Sequence, residues 1–182
     1  MRQRLFTLAS LLAVAVVSSS CASLEWSASR IDEESDKALR VFREEVNGAE
    51  LFLAQSSGYL VFPRVLKAGI GIGAETGEGV LRVGGQSVDY YRTTSGSIGF
   101  QAGAQAKSIV IAFLTPSSLE QFRGSNGWKV GIDGSVALID VGAGKTIDTD
   151  NIRDPVVGFV FGSKGLMYNL TFEGSKFTKL VK

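Results

Sequence analysis

Histidine is absent from this sequence, cysteine occurs once and proline three times in 182 residues. Without histidine there is no imidazole to act as general acid or base near neutral pH, and none to ligate a metal. A lone cysteine makes neither an intramolecular disulfide nor a thiolate-rich zinc site. Net charge is also scarce, with 19 basic residues against 18 acidic ones. A protein that binds nucleic acid by neutralising phosphates carries a clear basic excess, so that class is set aside. The apolar run Leu5–Val17 falls short of the roughly 20 residues that a spanning helix needs. What the chain does have is 22 glycines and a hydrophobic fraction of 45%, which suits one globular domain.

The N-terminus reads as a targeting segment. Arg2 and Arg4 form a basic n-region, Leu5–Val17 an apolar h-region, and Ser18, Ser19 and Ser20 lead into Cys21. This is the pattern of a secretory signal peptide over residues 1–20. Small residues before a single cysteine resemble a lipobox, although Ser18 stands where leucine is usual. Cys21 is therefore the expected lipidation site and the first residue of the mature chain. Ala22 follows it, which resembles the default for the outer membrane, periplasmic face. Loss of Arg2 and Arg4 leaves 17 basic against 18 acidic residues, unevenly spread: residues 24–50 hold eight acidic and four basic, residues 51–182 ten acidic and thirteen basic.

Residues 21–29 read as a tether and 30–182 as a single domain. From 30 to 56 the apolar positions Ile31, Ala38, Phe42 and Val46 share one helical face. Asn47-Gly48 divides the region into helices over about 30–46 and 49–56, with Asp32 or Ser35 as candidate cap. A short helix is expected over 116–122, with Ser117 or Ser118 near its start. Elsewhere apolar segments alternate with glycine-rich turns, a β pattern. Residues 97–106, 128–138 and 166–172 alternate with period two, as half-buried strands do. Trp128, Val130, Ile132, Val136 and Leu138 are expected to share one buried face. Residues 107–114 and 156–161 are apolar on both faces, as central strands are. The expected fold class is α+β: N-terminal helices, then a Gly-rich, strongly curved, mostly antiparallel β-sheet or half-barrel.

The motifs with chemical overtones fail on context. Gly69, Gly71 and Ala74 fit G-x-G-x-x-A, but a turn and another strand follow instead of a helix. Gly142–Thr146 imitates the end of a P-loop, yet Ile139 occupies the position of its first glycine. Asp148, Asp150, Asn151 and Asp154 cluster oxygens that a hard cation could use, without the glycine and terminal glutamate of an EF-hand. No G-x-S-x-G and no S-x-x-K occurs, and a serine nucleophile would lack a base. The chain is read as non-enzymatic, with no cofactor.

Residues 58–83, GYLVFPRVLKAGIGIGAETGEGVLRV, followed by SIGFQAGAQ at 97–105, resemble the SYLF domain. The order is an apolar strand ending in Pro63, Lys67 before a Gly-rich strand, Gly77-x-Gly79-Val80-Leu81, and then Gly99-x-Gln101-x-Gly103. Gly131, Asp133 and Gly134 through Gly144, and the turn Ser163-Lys164-Gly165-Leu166, resemble its later segments. The resemblance runs over roughly 28–178. It implies a lipid-binding module; eukaryotic relatives bind phosphoinositides, and the yeast branch is linked to actin. Asp89-Tyr90-Tyr91-Arg92 stands where those relatives carry a Trp-Ser-Ala-Pro-type segment.

The sequence-level expectation is thus a membrane-anchored, lipid-binding lipoprotein of the bacterial envelope. Its partner would be an anionic phospholipid membrane, met through Arg64, Lys67, Lys164, Lys176 and Lys179. The alternative is a structural lipoprotein that binds an envelope protein in the periplasm.

Overall fold

The structure, a computed structural model, describes residues 25–141, 154–165 and 174–182. The signal segment with Cys21, the P-loop imitation at 142–146, Asp148, Asp150 and Asn151 of the oxygen cluster, and the strand expected at 166–172 lie outside the described residues. Asp154 is described and exposed.

Helix α1 (Ala28–Glu45) begins a turn earlier than the expected cap. Ser27 is the N-cap: its hydroxyl accepts from the Arg30 amide at 3.3 Å, satisfying one of the orphan N–H groups of the first turn. Asp32 instead turns toward the sheet, and Ser35 is buried against it. The helix ends at Val46, and Gly48, at φ 86°, redirects the chain into α2 (Ala49–Gln55). A left-handed φ favours glycine because it carries no Cβ.

Two long strands follow, β1 (Gly58–Val83) and β2 (Gln86–Phe113), joined at Gly84-Gly85 and paired antiparallel along their lengths. Helix α3 (Pro116–Gly124) comes next, capped by Thr115, whose hydroxyl accepts from the Ser118 amide at 3.2 Å. The helix expected over 116–122 is present, with Ser117 and Ser118 in its first turn and Thr115 as its cap. Strands β3 (Trp128–Lys129), β4 (Ala137–Asp140), β5 (Val156–Gly165) and β6 (Lys176–Leu180) complete the described part. The sheet among the described residues is six-stranded, in the order β3-β6-β2-β5-β4 with β1 paired on β2; the β4–β5 pair is parallel and the other pairs are antiparallel. The result is the expected α+β architecture, N-terminal helices followed by a curled half-barrel.

The curl is visible in β1 itself. A Cβ on Gly79 would collide with the Val61 carbonyl oxygen and lie 2.6 Å from the Phe62 ring; one on Gly77 would lie 2.6 Å from the Arg64 carbonyl oxygen. The two halves of β1 therefore lie against each other, and glycine allows the backbones to approach that closely. Register shifts between Phe62 and Val65 and between Ile70 and Ile72 provide the bends.

Each face of the sheet has its own core. On the outer face α1 and α2 bury Ile31, Leu39, Phe42 and Phe52 against Val61, Val80, Val110, Phe159 and Phe161. The Phe42 ring lies 5.2 Å from both Phe159 and Phe161. On the inner face α3 supplies Leu119 and Phe122 to Leu60, Phe62, Tyr91, Ile109, Phe113, Trp128 and Phe177. Phe122 sits 4.7 Å from Phe113 and 4.8 Å from Tyr91. Each such side chain contributes about 1.5–3 kcal/mol on burial. Coverage on both faces explains the apolar run within 107–114, from Ile109 to Phe113, and that at 156–161, while Lys107 at the start of the first is buried in an ion pair with Glu75.

One expected strand is corrected. Trp128 and Val130 are buried, but Ile132 is 76% exposed. Strand β3 stops at Lys129, Gly131 adopts φ 85°, and Asp133 accepts from the Lys129 amide at 2.7 Å. The Asp133 carboxylate holds a turn, and turn chemistry overrides the alternating pattern. Val136 and Leu138, on the far side of that turn, are only partly buried.

Candidate lipid-contact site

The first described residues, Glu25 and Trp26, are fastened to the doubled part of β1. Glu78, on β1, is nearly buried, and its carboxylate collects three donors. The Trp26 amide donates to it at 3.0 Å, Arg92 of β2 at 2.6 Å, and Lys182 at the C-terminus at 3.3 Å. Arg92 also reaches Glu25 at 2.6 Å, and Lys182 donates to the Trp26 carbonyl at 2.7 Å. The Arg92 guanidinium holds the Glu25 carboxyl below its ordinary range, while hydrogen bonds to Glu25 and then Glu78 push Arg92 itself upward. Glutamates and cations neutralise one another here, so these groups fasten the chain and leave little charge for an external ligand.

Beside this fastening lies a cleft of about 310 Å³, lined by Glu25, Trp26, Arg64, Leu66, Thr76, Gly77, Glu78 and Arg92. Trp26 and Leu66 give it an apolar part, and Trp26 is itself covered by Arg30, 4.9 Å from its ring. Arg64 is exposed at the rim and forms no ion pair among the described residues. The site therefore offers one outward cation, a partly apolar floor and an internally compensated wall.

The structure separates residues that lie close in sequence. Arg64 is exposed on β1, whereas Lys67 is 5% exposed and engaged inside the fold. A spacing of three along a strand sends side chains to opposite faces. The same rule divides Lys176 from Lys179 on β6. Lys176 is half-buried, opposite Lys129 in the register. Lys179 points outward and pairs with Asp89 at 2.6 Å, a carboxylate that also accepts from Arg123 at 3.3 Å. Lys164 is exposed on β5, opposite Ala106. Of the five candidates, Lys67 is thus withdrawn into the fold and Lys179 is paired with Asp89.

Glu78, Arg92, Trp26 and Lys182 were not among the sequence candidates. The Glu78–Lys182 contact spans 104 residues, and no local pattern signals so distant a pairing. Among the described residues, no group of acidic side chains and cysteine gathers to hold a metal ion, and no helix is long and apolar enough to cross a membrane.

A family model described as Ysc84: Las17-binding protein actin regulator matches residues 94–180. These residues run from the middle of β2 to the end of β6, across α3 and the inner core. No curated protein matches the chain.

Proposed function

We infer, from the match of residues 94–180 to the Ysc84 family model, that this protein is a non-enzymatic lipid-binding lipoprotein of the bacterial envelope. The family is associated with lipid binding and actin regulation. Acylated Cys21 holds the chain in the outer membrane, on the periplasmic face, and the domain rests on anionic phospholipid. An acylated cysteine buries enough methylenes for stable anchoring.

The observation that carries this reading is the fastening of the tether. Four peptide steps separate Cys21 from Glu25, at most about 14 Å of chain. Glu25 and Trp26 are held by Arg92, Glu78 and Lys182. A lipid on Cys21 would keep the domain within a Debye length or two of the headgroups, where each lysine or arginine contributes about 1 kcal/mol toward an anionic surface. Arg64, Lys164 and Lys176 are the proposed contacts. Lys179 joins them when lipid phosphate displaces Asp89. Lys67, being buried, takes a structural part.

Two measurements test the reading. Globomycin should accumulate the precursor, and Cys21→Ser should abolish palmitate labelling; labelling that persists in the variant overturns the anchor. The Cys21→Ser chain should float with vesicles containing phosphatidylglycerol and release as salt is raised. Equal flotation with purely zwitterionic vesicles would overturn the anionic contact.

A further inference from the structure

Strand β1 is continuous in the chain but doubled in space. A Cβ on Gly58 would approach the Arg82 carbonyl oxygen at 3.1 Å and one on Gly77 the Arg64 carbonyl oxygen at 2.6 Å, while one on Gly69 would collide with the Gly73 backbone. The contacts converge on a reversal at Gly71, which has φ 70°. Its flanking residues are Ile70 and Ile72, 85% and 74% exposed, and Leu66 below them is 39% exposed. Solvent-facing tips of reversing chain are ordinarily glycine, asparagine, aspartate or serine. Two β-branched apolar residues at such exposure, with Leu66 on the same arm, leave apolar surface that the described residues do not cover.

The course of the N-terminal segment says what covers it. Asp36 pairs with Arg82 at 2.6 Å and the Trp26 amide bonds Glu78 at 3.0 Å. Followed backward from α1, the chain therefore moves along β1 from Arg82 toward the reversal. Glu25 and Trp26 share the cleft with Leu66 and Thr76, each four residues from an isoleucine of the tip, about 13 Å along a strand. The tether and the apolar tip occupy the same end of the molecule.

We propose that the Ile70-Gly71-Ile72 tip inserts into the hydrocarbon edge of the phospholipid bilayer that carries the anchor. This rests on the lipid-binding reading above and gives that reading its contact point. The tip acts as a second attachment that sets the orientation of the domain, with Arg64 on the same arm level with the headgroups. Insertion exchanges the water around two isoleucine side chains for hydrocarbon, the same gain that buries such side chains in a core.

The test uses the acylated full chain carrying Ile72→Cys, labelled with the fluorophore NBD at its free thiol, and vesicles of phosphatidylethanolamine and phosphatidylglycerol. The expected result is a blue-shifted emission that doxyl-labelled lipid quenches from the shallow acyl positions. A label at Val88→Cys, beside the Gly84-Gly85 turn, should stay in water. In the unacylated Cys21→Ser chain, Ile70→Ser with Ile72→Ser should weaken vesicle binding at least about tenfold without changing the melting temperature. A tip label no more quenched than the Val88 label overturns the inference, as does a blue shift in the absence of vesicles, which would mark self-association. If the protein floats while the tip label stays in water, insertion alone is refuted. If the acylated chain does not float, the lipid-binding reading falls with it.

Discussion

Glu75 and Lys107 form an ion pair inside the half-barrel, with a carboxylate oxygen 3.0 Å from the ammonium nitrogen and side chains 6% and 1% exposed. They lie on the inner face beyond the aromatic core, where Val65 opposes Lys107 and Lys67 opposes Gln105 in the β1–β2 register. The interior thus passes from apolar, under α3, to charged, toward the reversal of β1. Burying both ions costs desolvation that their mutual attraction must offset.

The consequence is an asymmetry between single and double variants. Lys107→Met takes the ammonium away from a buried carboxylate and should cost about 3–5 kcal/mol. Pairing it with Glu75→Leu removes the other half of the pair and should restore part of that loss. Urea unfolding of the three variants measures the coupling. If the double variant loses the sum of the two singles, the pair does not act as a unit.

Gly79 should tolerate no side chain. Its Cβ would strike the Val61 carbonyl and the Phe62 ring, whereas nothing lies within 4 Å of a Cβ on Gly96. Gly79→Ala should lower stability by about 1–3 kcal/mol, the range of overpacking; Gly96→Ala should lie within about 0.5 kcal/mol of the parent, as exposed substitutions do. Thermal melts of both decide it. Equal melting temperatures would mean that the halves of β1 are not pressed together.

Alkaline pH should destabilise the fold through its tyrosines. Burial pushes the Tyr91 phenol up to about 12, and burial with the Asp32 hydrogen bond does the same for Tyr90. A folded value above the unfolded one, about 10, means that stability is complete below pH 10. It falls between pH 10 and 12, by at most about 1.4 kcal/mol per pH unit for each group. The Tyr91 hydroxyl is buried without a partner among the described residues. Tyr91→Phe should therefore match or exceed parental stability at pH 7 and lose less between pH 10 and 12. Denaturant melts at pH 7, 10 and 12 check both statements.

The helices and the buried strand centres were legible because their signals are local. Ile31, Ala38 and Phe42 repeat with the helical period, and 109–113 and 156–161 are apolar throughout, whichever face is considered. The 128–138 segment misled because alternation and an Asp-Gly turn coexist there, and the turn won. The Arg64–Lys67 pair shows another limit: a spacing of three gathers side chains on a helix and parts them on a strand.

By itself, then, the sequence determined the helices, the apolar strand centres at 109–113 and 156–161, and the near balance of charge. Tertiary structure alone decided that β1 doubles on itself, that Glu78 gathers Trp26, Arg92 and Lys182, that Lys67 and Lys107 are interior, and that Ile70 and Ile72 are left outside. Each of these depends on which residues far apart in the chain become neighbours. Period and composition carry the direction of a side chain relative to its own strand, but not what stands opposite it once the strand has bent.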